Sequence, residues 1–138
     1  MNKNKSDYEG YILRITKDEW MKQVFERMKY YAGVRRKWTP GLTIFFARKT
    51  EKGDSLIGYG VVETVQKLEE LTEEERRECE KWGWNVALVF KYLIKLDQPL
   101  LIKDSILKDS KMRGKYLHGF ALDSAKVQSL LNQAEQLS

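Results

Sequence analysis

The sequence predicts an α+β fold, a strongly bent and partly closed barrel with peripheral helices. Three observations carry this. First, residues 84–96 place a large apolar side chain at every even position: Trp84, Val86, Leu88, Phe90, Tyr92, Ile94 and Leu96. Successive side chains in a strand point to opposite faces, so this period of two predicts one long strand with one continuous core face. A strand that long suits a bent or closed sheet. Second, two segments open like capped helices and a third carries a helical apolar stripe. Third, the remaining apolar segments follow one another as mostly adjacent strands.

In chain order, residues 11–15 form a first strand, apolar except at Arg14. Thr16 and Glu19 have the spacing of a capping box, with Ile15 and Trp20 placed as a hydrophobic staple. The helix they open carries Trp20, Met21, Val24, Phe25 and Met28 on one stripe and runs to Gly33, a left-handed cap. Trp20 is accordingly a core anchor. Pro40-Gly41 marks a turn before a strand at 42–48. Residues 49–55 form a polar loop, too long for a tight hairpin. A strand at 56–65 follows, with Gly58 and Gly60 on one face permitting a sharp bend or a close approach.

Thr72 and Glu75 form a second capping box, whose helix runs to about Trp82 and stops at Gly83. Its strong apolar positions are Cys79 and Trp82, so it lies on the surface. After the long strand, Gln98-Pro99 is a break and 100–102 a short apolar element. Residues 103–115 are basic and irregular, and 116–121 form a last strand or loop. Asp123 caps a C-terminal helix with Val127, Leu130, Leu131, Ala134 and Leu137 on one stripe.

At 138 residues, with 42% hydrophobic and 12% aromatic content, the chain is expected to fold as one domain with its own core. Residues 1–8 are expected to be a flexible tail, and because the first charges lead into no apolar core, no export signal is expected. No apolar run is long enough to span a bilayer. Cys79 is the single cysteine, which excludes an internal disulfide; a reducing cytoplasm is the expected compartment. Single His118 and Cys79 form no metal-ligand cluster, and nothing around His118 resembles a nucleophile elbow. Gly58-Tyr59-Gly60 lacks the third glycine and the helix start of a phosphate loop. No catalytic residue, metal or cofactor is therefore assigned.

Charge patterning points to binding. The net charge is +5, and it is unevenly spread. Arg27, Lys29, Arg35, Arg36 and Lys37 occur without an intervening acid, whereas 69–80 is rich in glutamate. Such a directional field is common on nucleic-acid-binding surfaces. Arg35, Arg36 and Lys37 lead into Trp38; Lys111, Arg113 and Lys115 lead into Tyr116 and His118. Cations hold phosphates, and aromatic faces stack unpaired bases for about 1–3 kcal/mol each. The competing reading has Trp38 and Tyr116 covering barrel ends while the cations are solvated. Trp82 and Trp84 stand at the mouth of the long strand, where they either plug the barrel or border a pocket.

The chain resembles the PUA-like superfamily, and most closely its EVE-type members, which are related to YTH and ASCH domains. The likeness is carried by residues 11–16 leading to Trp20, by Gly33-Val34-Arg35-Arg36-Lys37, and by Pro40-Gly41 with the strand after it. Residues 57–62, the 84–96 strand and His118-Gly119-Phe120-Ala121 before a helix complete it. It is similar, too, to small archaeal proteins of that superfamily. The resemblance implies a PUA-like pseudo-barrel of about five or six mostly antiparallel strands with peripheral helices. It further implies a non-enzymatic nucleic-acid-binding domain, RNA ahead of DNA, holding an unpaired or modified base in a basic-aromatic pocket.

By position the resemblance points to Gly33, Val34, Arg35, Arg36, Lys37 and Trp38; together with the two basic-aromatic loops it places Gly33, Val34, Tyr59, Trp84 and His118 in or beside the pocket. Arg35, Arg36, Lys37, Trp38, Lys111, Arg113, Lys115 and Tyr116 make the nucleic-acid surface. No membrane partner is expected, and the chain is expected to be a monomer or weak homodimer. The YTH arrangement of three cage aromatics is not assignable, and the Gly-x-Lys-x-x-Glu-x-Arg signature of the ASCH group is missing. Two alternatives stand beside this reading. One is a small hydrolase of a modified nucleobase or nucleoside using Lys37, Thr39 and Glu63. The other is a protein-interaction module presenting the acidic 69–80 segment.

Overall fold

The computed structural model describes residues 8–137, so the tail expected at 1–8 lies, apart from Tyr8, outside the described residues. Six strands form one curled, half-barrel sheet: β1 (Gly10–Arg14), β2 (Lys29–Ala32), β3 (Thr43–Thr50), β4 (Gly53–Lys67), β5 (Val86–Leu101) and β6 (Phe120–Leu122). Their order is β2-β5-β4-β3-β1-β6, antiparallel except for the parallel β1–β3 pair. Three helices flank it: α1 (Asp18–Arg27), α2 (Glu73–Trp82) and α3 (Ser124–Glu135). Among the described residues, no helix is long and apolar enough to cross a membrane.

Strand alternation gives the sheet a core on each face. Tyr11, Leu13, Ile44, Phe46, Leu88 and Phe90 pack with Val24 of α1, whereas Ile12, Phe45, Tyr59, Leu96 and Leu122 pack with Val127 and Leu130 of α3. Burying each such side chain fully stabilises the fold by about 1.5–3 kcal/mol. The expected α3 stripe is seated in this second core, and Asp123 caps the helix by accepting from the Lys126 amide at 2.9 Å. α2 also ends as expected, on Gly83 at φ 76°.

The long strand differs from expectation. It does not present one continuous core face, because two bulges interrupt its pairing with β4. Val61 pairs with Tyr92 but Val62 with Phe90, leaving Lys91 as an extra residue; Glu63 is extra on the partner side. An extra residue shifts the side-chain alternation by one and bends the strand. Hence Leu88, Phe90 and Leu93 face the α1 core, Ile94 and Leu96 face the α3 core, and Tyr92 is exposed. Nor does Gln98-Pro99 end the strand. Lys95 pairs with Gly58 and Leu100 with Leu56, so Pro99 sits in an irregularity where no ladder bond needs its missing N–H.

Two further expectations are corrected. Residues 49–55 are a tight hairpin: Thr50 pairs with Gly53. The Thr50 hydroxyl donates to the Gly53 carbonyl at 2.9 Å, and Gly53 has φ 123°. The first helix stops well before Gly33. Met28 adopts φ 56° and caps it, and Lys29–Ala32 become β2, antiparallel to β5. Nor does Thr16 cap α1, since the N-cap is Lys17 with no side-chain bond. Gly58 serves close approach: a Cβ there would lie 2.7 Å from the Ile94 carbonyl oxygen and 2.8 Å from Phe25 Cζ.

Candidate functional site

Placing β2 beside β5 leaves a concavity of about 240 Å³ at the C-terminal end of β1. Arg14, Ile15 and Thr16 supply its floor where β1 leaves the sheet, and Trp20, Gln23 and Val24 come from α1. Tyr30 and Tyr31 enter from β2, Trp84 from the α2–β5 turn, and Lys115 and His118 from the 3-10 turn Gly114–Leu117 and its end.

Its walls are aromatic. The Trp84 ring stacks on Tyr31 at 5.5 Å with 12° between planes, and Trp20 meets Trp84 edge-on at 5.4 Å. Trp82 extends the cluster outward, 5.1 Å from Trp20 and 6.0 Å from Trp84. Lys17 Nζ stands 4.8 Å from the Trp20 ring centre and 4.1 Å from that of Trp82, a cation–π position on the outer side.

The polar groups are equally defined. His118 Nδ1 accepts the Arg14 amide hydrogen at 3.0 Å, which assigns the ring proton of the neutral imidazole to Nε2. Burial, followed by the charges of Arg14 and Arg36, lowers the His118 pKa, so the ring is neutral at pH 7. Tyr30 donates its hydroxyl to the Arg14 carbonyl at 2.9 Å. The Tyr31 hydroxyl donates to Glu75, which also holds Lys29 at 2.9 Å. Burial raises the pKa of both phenols, so they remain protonated. Burial alone would raise Glu75 as well, but hydrogen bonds from Tyr31, Lys29 and the Thr72 amide hold its pKa at about 2. Glu75 thereby completes the α2 capping box while fixing a wall of the cavity. Arg14, Thr16 and Gln23 side chains have no hydrogen bond or ion pair among the described residues.

Three of the residues singled out in the sequence line the cavity together: Trp84, Lys115 and His118. Tyr59 does not; it faces the opposite core against Phe45, 5.8 Å away. Gly33 marks a backbone crossing, where a Cβ would lie 2.7 Å from the Gly83 carbonyl oxygen, and Val34 packs on the α1 core. Trp38 is not an exposed platform: it packs edge-on against Tyr11 at 5.0 Å, with its buried Nε1 unpartnered. Arg35, Lys37 and Lys111 are exposed. Arg113 donates to the Ser110, Met112 and Lys108 carbonyls and so braces its own loop. Tyr116 is 63% exposed, with Lys115 Nζ 5.4 Å from its ring.

Arg36 joins the two basic segments by donating Nε–H to the Gly119 carbonyl at 2.8 Å. Lys37, Thr39 and Glu63, the residue types considered for hydrolysis, are all absent from the cavity lining, which includes no carboxylate. Among the described residues, no cluster of three His, Cys, Asp or Glu groups could hold a metal.

Arg14, Ile15, Thr16, Trp20, Gln23, Val24, Tyr30 and Tyr31 complete the lining and were not assigned to it from the sequence. Arg14 carries a legible signal as the one charge in an otherwise apolar strand. Tyr30-Tyr31 does too, as an aromatic pair with strand propensity where a helix was expected.

No protein-family model matches the sequence, and no curated protein matches it. Among solved structures, the chain is similar to ASCH from Zymomonas mobilis, with a TM-score of 0.65 at 13% identity over 91% of this chain and 96% of that one. A serine-to-alanine variant of that protein gives 0.64 at 14% identity, covering 92% and 97%. A tyrosine-to-phenylalanine variant gives 0.63 at 14%, covering 90% and 97%. These likenesses show the fold. It is an α+β pseudo-barrel like that of the Zymomonas mobilis ASCH structures, present here without the ASCH sequence signature.

Proposed function

We propose that this PUA-like, ASCH-type fold is a non-enzymatic nucleic-acid-binding domain that takes one unpaired base into the cavity, RNA ahead of DNA. The observation that carries the reading is a small concavity walled by Trp20, Trp84 and Tyr31 with Arg14 and Lys115 beside them. Its 240 Å³ falls below the roughly 300–1,000 Å³ of drug-sized pockets and suits a single ring system. Indole faces stack bases of any sequence, and cations hold the flanking phosphates. Exposed Arg35, Lys37 and Lys111 supply further cations for phosphates outside the cavity. The superfamily resemblance supports RNA as the partner.

The test is titration of single-stranded RNA at several salt concentrations with wild type, Arg14→Ala and Lys115→Ala. Each variant is expected to weaken binding and to reduce the salt slope by about one. Binding that is absent at low salt, or unchanged when Arg14→Ala and Lys115→Ala are combined, would sink the proposal.

A further inference from the structure

Resting on the base-pocket reading above, we propose that the cavity selects lactam bases, uracil and the 6-oxopurines, over adenine and cytosine. The selection comes from the polar groups that line it. Its charged members are Arg14 and Lys115, both cations, and it contains no carboxylate to accept from an amino group. His118 contributes a donor of fixed sense: Nδ1 is engaged by the Arg14 amide, so the free edge of the neutral ring is Nε2–H. The Tyr31 and Tyr30 hydroxyl hydrogens are committed to Glu75 and to the Arg14 carbonyl.

The exocyclic carbonyl oxygen at C4 of uracil or C6 of an oxopurine accepts from this set. The amino group of cytosine or adenine at the same position meets the fixed His118 Nε2–H and the two cations donor to donor and loses that contact. Gln23 suits either pattern, because its amide both donates and accepts, so the selection rests on His118 and the two cations. The lining cations also exclude a cationic base, although aromatic walls alone would favour one. Lys17 already occupies the cation position over Trp20 and Trp82.

The experiment measures affinities of the full chain for hexamers of uridine, inosine, adenosine and cytidine, and for an abasic hexamer, at one low salt concentration. Uridine and inosine hexamers are expected to bind at least tenfold more tightly than adenosine and cytidine, the order of one good base-edge contact, about 1–3 kcal/mol. His118→Gln, which keeps a side-chain donor, is expected to retain the preference, and His118→Phe to abolish it. Equal affinity for the four bases, all above the abasic strand, overturns the lactam selection and leaves the base pocket standing; so does a preference for adenosine or cytidine. Affinity equal to that of the abasic strand overturns both. The ligand series is read on wild-type protein, so a variant that fails to fold leaves the test decisive.

Discussion

Replacing Glu75 with alanine should cost more than any other exposed-looking substitution on α2, because one carboxylate serves three partners. It accepts from Tyr31 and Lys29 on β2 and from the Thr72 amide at the helix start. The Lys29 and Glu75 side chains are only 21% and 19% exposed, so solvent screens the pair weakly. Losing a charged hydrogen-bond acceptor costs about 1.5–3 kcal/mol and losing half a capping box adds a fraction of about 1 kcal/mol. Linkage gives a similar size: lowering the carboxyl from 4.5 to about 2 corresponds to roughly 3 kcal/mol. Because the folded-state pKa is depressed, this stability is fully present above pH 4.5 and is lost as pH falls toward 2. Urea denaturation should therefore show Glu75→Ala about 2–4 kcal/mol less stable than wild type at pH 7, with the gap shrinking below pH 4.5. A loss under about 0.5 kcal/mol, the size of an ordinary surface change, or a gap independent of pH, refutes the reasoning.

Other outcomes follow from the same geometry. Gly58→Ala should destabilise by about 1–3 kcal/mol in thermal or urea melts, since the new methyl meets the Ile94 carbonyl and the Phe25 ring at 2.7–2.8 Å. Gly119→Ala, at φ 81°, should cost of order 1 kcal/mol by the same measurement and loosen the Arg36 latch. Nitrogen NMR should find His118 neutral at pH 7 with the proton on Nε2, titrating below 6.5. Cys79, fully buried and with its thiol pKa raised by burial, should resist thiol reagents until the chain unfolds.

The fold was legible where periodicity and punctuation agree. Thr72 with Glu75 and Gly83 delimit α2, Asp123 opens α3, and the α3 stripe seats as its spacing implies. Legibility failed where tertiary contacts decide. Met28 has no intrinsic reason to end a helix; pairing of Lys29–Ala32 with β5 outweighs the helical pattern. The bulges at Lys91 and Glu63 are features of the pairing between two long strands, which neither strand reveals alone. The site follows the same division. Trp84, Lys115 and His118 stood out as aromatic and basic residues near element ends, and they converge. Arg14 and Tyr31 carried a signal, as a lone charge in an apolar strand and an aromatic pair, but the cavity they share with Gln23 could not be placed without β2, which forms its far wall. Trp38 misled for a related reason: cations beside it in sequence say nothing of the Tyr11 ring beneath it.

The central claim, a cavity that receives an unpaired base, is tested most directly by intrinsic tryptophan fluorescence. Trp20 and Trp84 line the cavity and Trp82 borders it, so a stacked base must perturb their emission. Single-stranded RNA should quench the signal saturably, and a fully paired duplex of the same sequence should quench it far less. Equal quenching by the duplex, or no response to the single strand at low salt, would contradict the account.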